Sequence, residues 1–316
     1  MKPCIILGAP VSCGAGRSGC ERSPEALREA GLADALRSLG RQVIDIGDLR
    51  RRFTPPVVHA NSAIKHLAEV ASWIEAISDA VHLSSRMGLT VLLGGDHSVA
   101  AGSLAGLARS AQESEGELFV LWLDAHPDFH TLDSTCSGNL HGVPLAYATG
   151  QHGFDGYFPQ LAAPVKPENI CLMGIRSVDP AEQQLLRAAR VNVHDMEAVR
   201  KYGVEPLLEP FLSRVVRAGG NLHVSLDADF LDPQIAPGVG TRVLAGADIE
   251  IAREIMEMVR RSGALRSAEL VELNPLLDIA GKTAKLMVAL VGEMIGFAAR
   301  AGDSPTPQAP FLAHQS

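Results

Sequence analysis

Hydrophobic residues along this chain form short, nearly unbroken runs that alternate with longer segments of helical periodicity. Runs such as residues 118–123 and 222–226 predict buried β-strands, because a strand covered on both faces is apolar at nearly every position. Between the runs, apolar residues recur every three or four positions, as in the helix predicted over 62–87. The alternation predicts an α/β fold of three layers, α/β/α, with a mostly parallel central sheet.

The remaining boundaries follow from the same patterns. Strands are predicted over residues 4–7, 42–46, 90–93, 118–123, 170–174, 191–193, 222–226 and 268–273. Helices are predicted over residues 23–40, 62–87, 98–109, 143–148, 180–189, 204–217, 247–262 and 280–301. No change in composition marks a linker, so we expect one domain over residues 1–316. The segment 302–316, rich in proline and polar residues, is expected to form a loose tail.

Composition and charge exclude several classes of protein. The 316 residues are 47% hydrophobic, which is enough for a large buried core. A net charge of −8 without any basic run argues against a nucleic-acid surface, and no apolar stretch is long enough to span a bilayer. The five cysteines are scattered, as is typical of reduced thiols in a cytosolic protein. We therefore expect a cytoplasmic protein that binds neither nucleic acid nor membranes.

Polar residues suited to chemistry follow four of the predicted strands. Parallel strands end at the same edge of a sheet, and ligands bind at that edge in open α/β folds. The segment DAHPD at 124–128 would place two carboxylates and an imidazole on one side of an extended chain, although alone it also suits an acidic turn. The set at the four strand ends comprises His97, Asp124, His126, Asp128, Asp227, Asp229 and Glu272.

This concentration of carboxylates predicts a metal centre. Burying so much negative charge requires cations. Six ligands with carboxylates in excess suit two divalent ions, and Asp124 and Asp227 are placed to bridge them. Oxygen-rich ligation without cysteine favours manganese over zinc. Two such ions, about 3.5–4 Å apart, would share a water molecule and lower its pKa.

Five motifs carry a resemblance to a known family. They are GGDHSVA, DAHPD, SGNLHG, SLDADFLDP and ELNP, and GAP and SPEALREAGL precede them near the N-terminus. In this order the motifs resemble the ureohydrolase family, and the arginases within it most closely, over nearly the whole chain. The resemblance implies an arginase/deacetylase-like α/β/α fold, a centre of two Mn²⁺ ions per chain and hydrolysis of a guanidino compound.

The resemblance also implies a role for each matching residue. The terminal ligands would be His97 and Asp128 on one ion and His126 and Asp229 on the other, with Asp124 and Asp227 as bridges. A metal-bridging hydroxide would attack the guanidinium carbon, with its proton oriented or received by Asp128. His141 would protonate the leaving amine, and Glu272 would bind the guanidinium through two parallel hydrogen bonds.

The substrate expected from the resemblance is L-arginine, cleaved to L-ornithine and urea. The positions that match the site for its amino-acid head group are Ser137, Asn139, Asp179 and Glu182. The sequence departs from the usual pattern at His130, where arginases usually carry Asn beside the α-carboxylate, and at Ser177, where Asp is common. The alternative is a related ureohydrolase that acts on agmatine or 4-guanidinobutanoate.

Two further classes are less consistent with the sequence. A zinc deacetylase of the related fold would use a single ion and fewer carboxylates. A non-catalytic metal-binding protein would be expected to lack a bridging carboxylate or the histidine at position 141, and both are present. The family resemblance also implies a homo-oligomer, either a trimer or a hexamer.

Overall fold

The chain folds around one parallel sheet, as a computed structural model that describes residues 2–296 shows. The eight strands are β1 (Cys4–Ala9), β2 (Val43–Asp48), β3 (Leu89–Gly94), β4 (Leu118–Leu123), β5 (Ile170–Ile175), β6 (Asn192–Asp195), β7 (Asn221–Asp227) and β8 (Leu265–Val271). Their order across the sheet is β2-β1-β3-β8-β7-β4-β5-β6, and every neighbouring pair is parallel. The predicted α/β fold with a parallel central sheet is confirmed.

Helices connect the strands and cover the sheet. They are α1 (Ser23–Glu29), α2 (Leu32–Ser38), α3 (Leu67–Met87), α4 (Val99–Glu113), α5 (Pro144–Ala148), α6 (Pro180–Ala189), α7 (Met196–Tyr202), α8 (Glu205–Arg217), α9 (Ile249–Ser262) and α10 (Lys282–Ile295). Within residues 2–296, no helix is both long enough and apolar enough to cross a membrane.

Alternate residues of β1, β3, β4 and β5 enter two separate hydrophobic cores. In β1, Ile5 and Leu7 pack into the core that contains α3, α4 and α5, whereas Cys4 and Ile6 pack into the core that contains α1, α2, α9 and α10. Successive side chains of a strand point to opposite faces of the sheet, so both faces must be apolar when both are covered. This arrangement explains the unbroken hydrophobic runs of the sequence.

Two predicted helices differ from the observed ones because of left-handed residues. The helix predicted over 23–40 is two helices, since Gly31 has a φ of 90° and separates α1 from α2. The helix predicted to begin at position 62 begins at Leu67, because His66 adopts a φ of 53°. A left-handed residue ends the run of helical hydrogen bonds, and hydrophobic periodicity does not report it.

Two further differences concern the second half of the chain. Helix α7 was not predicted; the Asp195 side chain caps it by accepting a hydrogen bond from Ala198 N, and Gly203 follows its last residue. The last predicted helix, over 280–301, is observed as Lys282–Ile295. The remainder of that prediction and the predicted tail over 302–316 lie outside the described residues.

Candidate metal centre

The strand order places the polar strand ends side by side. Strands β3, β8, β7 and β4 are consecutive neighbours in the middle of the sheet. His97 follows β3, Glu272 follows β8, Asp227 is the last residue of β7, and Asp124 follows β4. Because all four strands are parallel, their carboxyl ends form one continuous stretch of the sheet edge. The topology therefore brings together residues that lie up to 175 positions apart in the chain.

The first group of potential ligands surrounds His97. Its Nδ1 atom lies 3.0 Å from Asp124 Oδ2, 3.1 Å from Asp128 Oδ2 and 3.1 Å from Asp227 Oδ2. Burial lowers the pKa of His97, but these three carboxylates outweigh it and hold the pKa well above its usual value. Burial also raises the pKa of Asp227 well above its usual value, and the charge of Asp229 raises it further.

The second group surrounds His126 and shares Asp124 with the first. His126 Nδ1 lies 3.1 Å from Asp229 Oδ2 and 3.5 Å from Asp124 Oδ1. Burial lowers the pKa of His126, but the charge of Asp229, together with Asp124, raises it to about 12. Asp124 thus presents one oxygen to each group, which is the geometry of a bridging carboxylate. Asp227 contributes Oδ2 to the first group, and its Oδ1 accepts a hydrogen bond of 2.7 Å from Asp229 N.

The arrangement fits divalent cations. Donor atoms mutually close enough to hold an ion come from two sets, His97 with Asp124 and Asp227, and Asp124 with His126 and Asp229. His97 Nδ1 is buried and satisfies no hydrogen bond, although three carboxylate oxygens surround it. One ring nitrogen cannot serve three acceptors, whereas a shared cation binds all four atoms at once. Five of the six predicted ligands belong to these two sets, and the sixth, Asp128, has its Oδ2 atom 3.1 Å from His97 Nδ1.

Neighbouring side chains fix the orientation of the ligands. His97 Nε2 lies 2.8 Å from Ser225 Oγ, so its Nδ1 faces the carboxylates. The indole of Trp122 donates a 2.9 Å hydrogen bond to Asp124 Oδ2 and stacks on the His97 ring at 4.0 Å between centroids. Such outer contacts hold metal ligands in one rotamer and tautomer.

Two residues of the site adopt backbone conformations that residues other than glycine rarely take. Asp128 has a φ of 48° and Glu272 has a φ of 59°. Surrounding hydrogen bonds hold both in place: Leu145 N donates to Asp128 O at 3.2 Å, and Glu272 N donates to Gly95 O at 2.8 Å. Conformations of this kind cost about 1–3 kcal/mol each and concentrate at functional sites.

His141 and Glu272 form a pair beside the metal centre. His141 Nδ1 lies 2.8 Å from Glu272 Oε1, and the same oxygen accepts a 2.8 Å hydrogen bond from His97 N. Burial lowers the pKa of His141, but the charge of Glu272 outweighs it and raises the pKa to about 9. His141 is therefore protonated at neutral pH. Among residues 2–296, the only contact of Glu272 Oε2 is a weak one, at 3.8 Å from Cys20 Sγ.

Three of the predicted head-group residues meet at the opposite wall. His130 Nε2 lies 2.9 Å from Asp179 Oδ2 and 4.0 Å from Glu182 Oε2, and His130 Nδ1 lies 3.1 Å from Ser134 Oγ. Hydrogen bonds from backbone N–H groups, that of Glu182 first, lower the pKa of Asp179. Burial raises the pKa of Glu182 to about 8. The wall thus combines an ionised carboxylate, a buried carboxyl group and an imidazole.

A cavity of about 210 Å³ opens over the metal centre. Its acidic lining residues are Asp128, Asp179, Glu182, Asp227, Asp229 and Glu272. A second cavity of about 340 Å³ shares His141, Thr241 and Glu272 with the first and is also lined by Asn139. Two larger cavities, of about 530 and 500 Å³, are lined by none of the predicted site residues, so volume alone does not identify the site.

The structure adds residues that the sequence analysis missed. Thr241 lines both cavities, Ser225 contacts His97, and Lys65 contacts Asn139. Ser225 lies two positions before Asp227 in the same strand. Because side chains alternate along a strand, the sequence could have predicted that both residues lie on the same face of the sheet. Thr241 and Lys65 lie in loops, where no periodic pattern indicates which way a side chain points.

Comparisons with known proteins agree with this geometry. The model of the Arginase family matches residues 2–296. The arginase of Brucella melitensis is 54% identical over 293 residues, which cover 93% of this chain and 96% of that protein. The arginase of Agrobacterium fabrum is 50% identical, with 94% of this chain and 91% of that protein covered. A solved structure of the arginase of Bacillus caldovelox matches with a TM-score of 0.86 at 36% identity, covering 95% of this chain and 100% of that one.

Fold, site and relatives together define a hydrolase of the ureohydrolase type. Within that class, the chain belongs to the arginase family. The resemblance seen in the five sequence motifs is thereby confirmed.

Proposed function

We propose that this chain acts as a single catalytic domain that hydrolyses the guanidinium group of L-arginine to L-ornithine and urea. The observation that carries the proposal is the convergence of six carboxylate and imidazole ligands in two groups that share Asp124. The curated relatives that are 54% and 50% identical bear the name arginase, which supports the choice of substrate.

Two Mn²⁺ ions are the proposed cofactors. The proposed ligands are His97, Asp124, His126, Asp128, Asp227 and Asp229. Carboxylate groups outnumber imidazole groups four to two among these residues, and such donor sets suit manganese. When bound, the two ions would polarise a shared water molecule and lower its pKa toward neutrality.

Glu272 is the proposed partner of the guanidinium group. Its Oε1 atom is held by His97 N and His141 Nδ1, while Oε2 has, within the described part of the chain, only the weak Cys20 contact. Burial raises the pKa of Glu272, but the positive charge of His141 outweighs it and the pKa is lowered. An ionised carboxylate with a free oxygen is suited to a planar cation, which it binds by charge-assisted hydrogen bonds.

Proton transfer is assigned to the residues on either side of the reacting carbon. Asp128 lines the cavity with its carboxylate and would orient the attacking water or accept its proton. His141 lines the same cavity, and its raised pKa of about 9 provides a protonated imidazole that would donate to the leaving amine. Glu272 fixes the His141 ring through Nδ1, which leaves Nε2 for the donation.

The proposed head-group site consists of His130, Ser137, Asn139, Asp179 and Glu182. Asp179 and Glu182 line the metal cavity and would bind the α-ammonium group of the substrate. Asn139 lines the adjoining cavity and would donate to the α-carboxylate, and Ser137 lies two positions before it in the chain. His130 lies between Asp179 and Ser134 and would contribute a further hydrogen bond.

A panel of guanidino substrates tests the proposal. With added Mn²⁺, urea release from L-arginine should exceed release from agmatine or 4-guanidinobutanoate. Faster cleavage of either of the other two would show that the chain is a ureohydrolase of different specificity. Absence of urea from all three would contradict the proposed activity.

We also infer a cytoplasmic homo-oligomer of three or six subunits. All five cysteines are free, as is usual in a reducing compartment. The family resemblance supports the oligomer. Light scattering of the purified protein measures the subunit number, and a monomeric mass would contradict the inference.

A further inference from the structure

The loop between β2 and α3 packs against the turn that contains Ser137 and Asn139. Lys65 N donates to Gly138 O at 3.1 Å. The side chain of Asn61 donates to Leu132 O and to Thr135 O, each at 2.9 Å. Hydrogen bonds thus connect the loop to the turn both before Ser137 and after it.

The approach of the two segments is close enough to require a glycine. Gly138 has a φ of 68°, and a Cβ atom at this position would lie 1.7 Å from Ala63 O. No other residue fits both the conformation and the space. The position of Lys65 relative to the turn is therefore fixed by backbone contacts, not by its own flexible side chain.

Lys65 determines which way the side-chain amide of Asn139 faces. Its ammonium Nζ lies 3.2 Å from Asn139 Oδ1. An ammonium group only donates hydrogen bonds, so the carbonyl oxygen of the amide must face Lys65. The NH₂ group consequently faces the other way, toward Gly16 and the 340 Å³ cavity, which both Gly16 and Asn139 line. Lys65 thereby presents the amide donors to the cavity.

The metal cavity has few cationic side chains that could attract a substrate carboxylate. The 210 Å³ cavity is lined by six carboxylates, and neither Lys nor Arg is among its lining residues. Lys65 provides a positive charge in contact with a residue proposed to bind the α-carboxylate.

We propose that Lys65 is a specificity-determining positioning residue, which orients the Asn139 amide and attracts substrates that carry an α-carboxylate. The proposal rests on the proposed function, since it concerns the head group of the guanidino substrate. It predicts that Lys65 matters for L-arginine and not for agmatine, which has the same guanidinium but no carboxylate.

The test compares Lys65→Met and Lys65→Arg in the manganese-loaded protein. Lys65→Met should raise KM for L-arginine about three- to tenfold, because a charge-assisted hydrogen bond at an exposed position is lost. Its kcat for L-arginine and its kcat/KM for agmatine should change less than about twofold, a factor worth under half a kcal/mol. Lys65→Arg should restore most of the affinity for L-arginine. Arg50→Met is the matched control, since Arg50 is an exposed cation of the same loop.

Two controls separate the possible failures. Arg17→Met removes the cation that lines the 340 Å³ cavity itself. If Arg17→Met, and not Lys65→Met, causes the arginine-selective loss, the proposal is wrong. Equal losses with L-arginine and agmatine would indicate a merely structural role of Lys65 and would also overturn the proposal.

If wild-type protein releases no urea from either substrate, the proposed function fails instead. The affinity for L-ornithine, measured by calorimetry, would then still report whether Lys65 recognises the carboxylate.

Discussion

His130 Nε2 and Asp179 Oδ2 lie 2.9 Å apart at the wall of the metal cavity. The two residues were expected to contact different parts of the substrate, the α-carboxylate and the α-ammonium group. Their direct contact means that the ammonium group of a substrate must share Asp179 with an imidazole. Since Ser134 holds the other ring nitrogen at 3.1 Å, His130 links Asp179 to the loop that precedes Ser137.

Substitution of His130 tests this link. His130→Asn should change kcat/KM for L-arginine less than about threefold, because Asn keeps a donor at the same place. His130→Ala should raise KM about tenfold, the equivalent of losing one good hydrogen bond. Steady-state kinetics on both variants provides the measurement. An unchanged KM in His130→Ala would show that the hydrogen bonds of His130 do not contribute to substrate binding.

His141 should control the alkaline limb of the pH profile. Its pKa of about 9 lies above the ordinary value, so the imidazolium persists at neutral pH and is lost as the pH rises through 9. If the rate of urea release depends on the protonated form of His141, it should therefore fall above about pH 9. His141→Asn should lower kcat about 10²–10⁴-fold, as is usual for loss of a general acid, and remove this limb. Metal content should be unchanged, and a variant of normal rate would exclude His141 from the chemistry.

Two glycines within helices provide a matched test of how tightly the helices pack. Gly106 lies where α4 packs on α3, and a Cβ atom there would lie 2.4 Å from Ser78 O. Gly292 lies in α10, where a Cβ atom would meet only Leu39 Cδ1 at an ordinary 3.9 Å. Gly106→Ala should therefore destabilise the protein by about 1–3 kcal/mol through overpacking. Gly292→Ala should be neutral or stabilising by up to about 1 kcal/mol.

Thermal unfolding of the two variants measures the difference. The melting temperature of Gly106→Ala should fall below that of the wild type, and that of Gly292→Ala should not. Equal melting temperatures would show that the close contact between α3 and α4 relaxes without cost.

The sequence predicted the sheet better than the loops, for physical reasons. Strand residues such as Leu121 are buried on both faces, so the hydrophobic pattern alone locates the strands. The metal-centre residues were predictable because they follow the strands directly, as Asp124 follows β4. The contacts of Lys65 and Thr241 depend on how loops fold against each other, which neither periodicity nor spacing encodes. The break at Gly31 was missed because a glycine within a helical pattern does not reveal its φ.

The head-group site shows the same limit of prediction from the sequence. The motif order indicated Ser137, Asn139 and Asp179 as head-group residues, and the structure places Asp179 in the metal cavity and Asn139 in the adjoining one. The contact between His130 and Asp179 joins residues 49 positions apart in the chain. No local pattern predicts a contact of this kind, because it depends on the position of α6 relative to the DAHPD loop.

Titration of metal-free protein with Mn²⁺ tests the central claim most directly. Carboxylates gathered around two imidazoles should bind two ions per chain, and urea release from L-arginine should rise with occupancy and saturate at about two equivalents. Chelation should abolish the activity and lower the melting temperature, since bound ions stabilise the folded state. Elemental analysis that finds one tightly held zinc ion per chain, with no stimulation of urea release by manganese, would contradict the account.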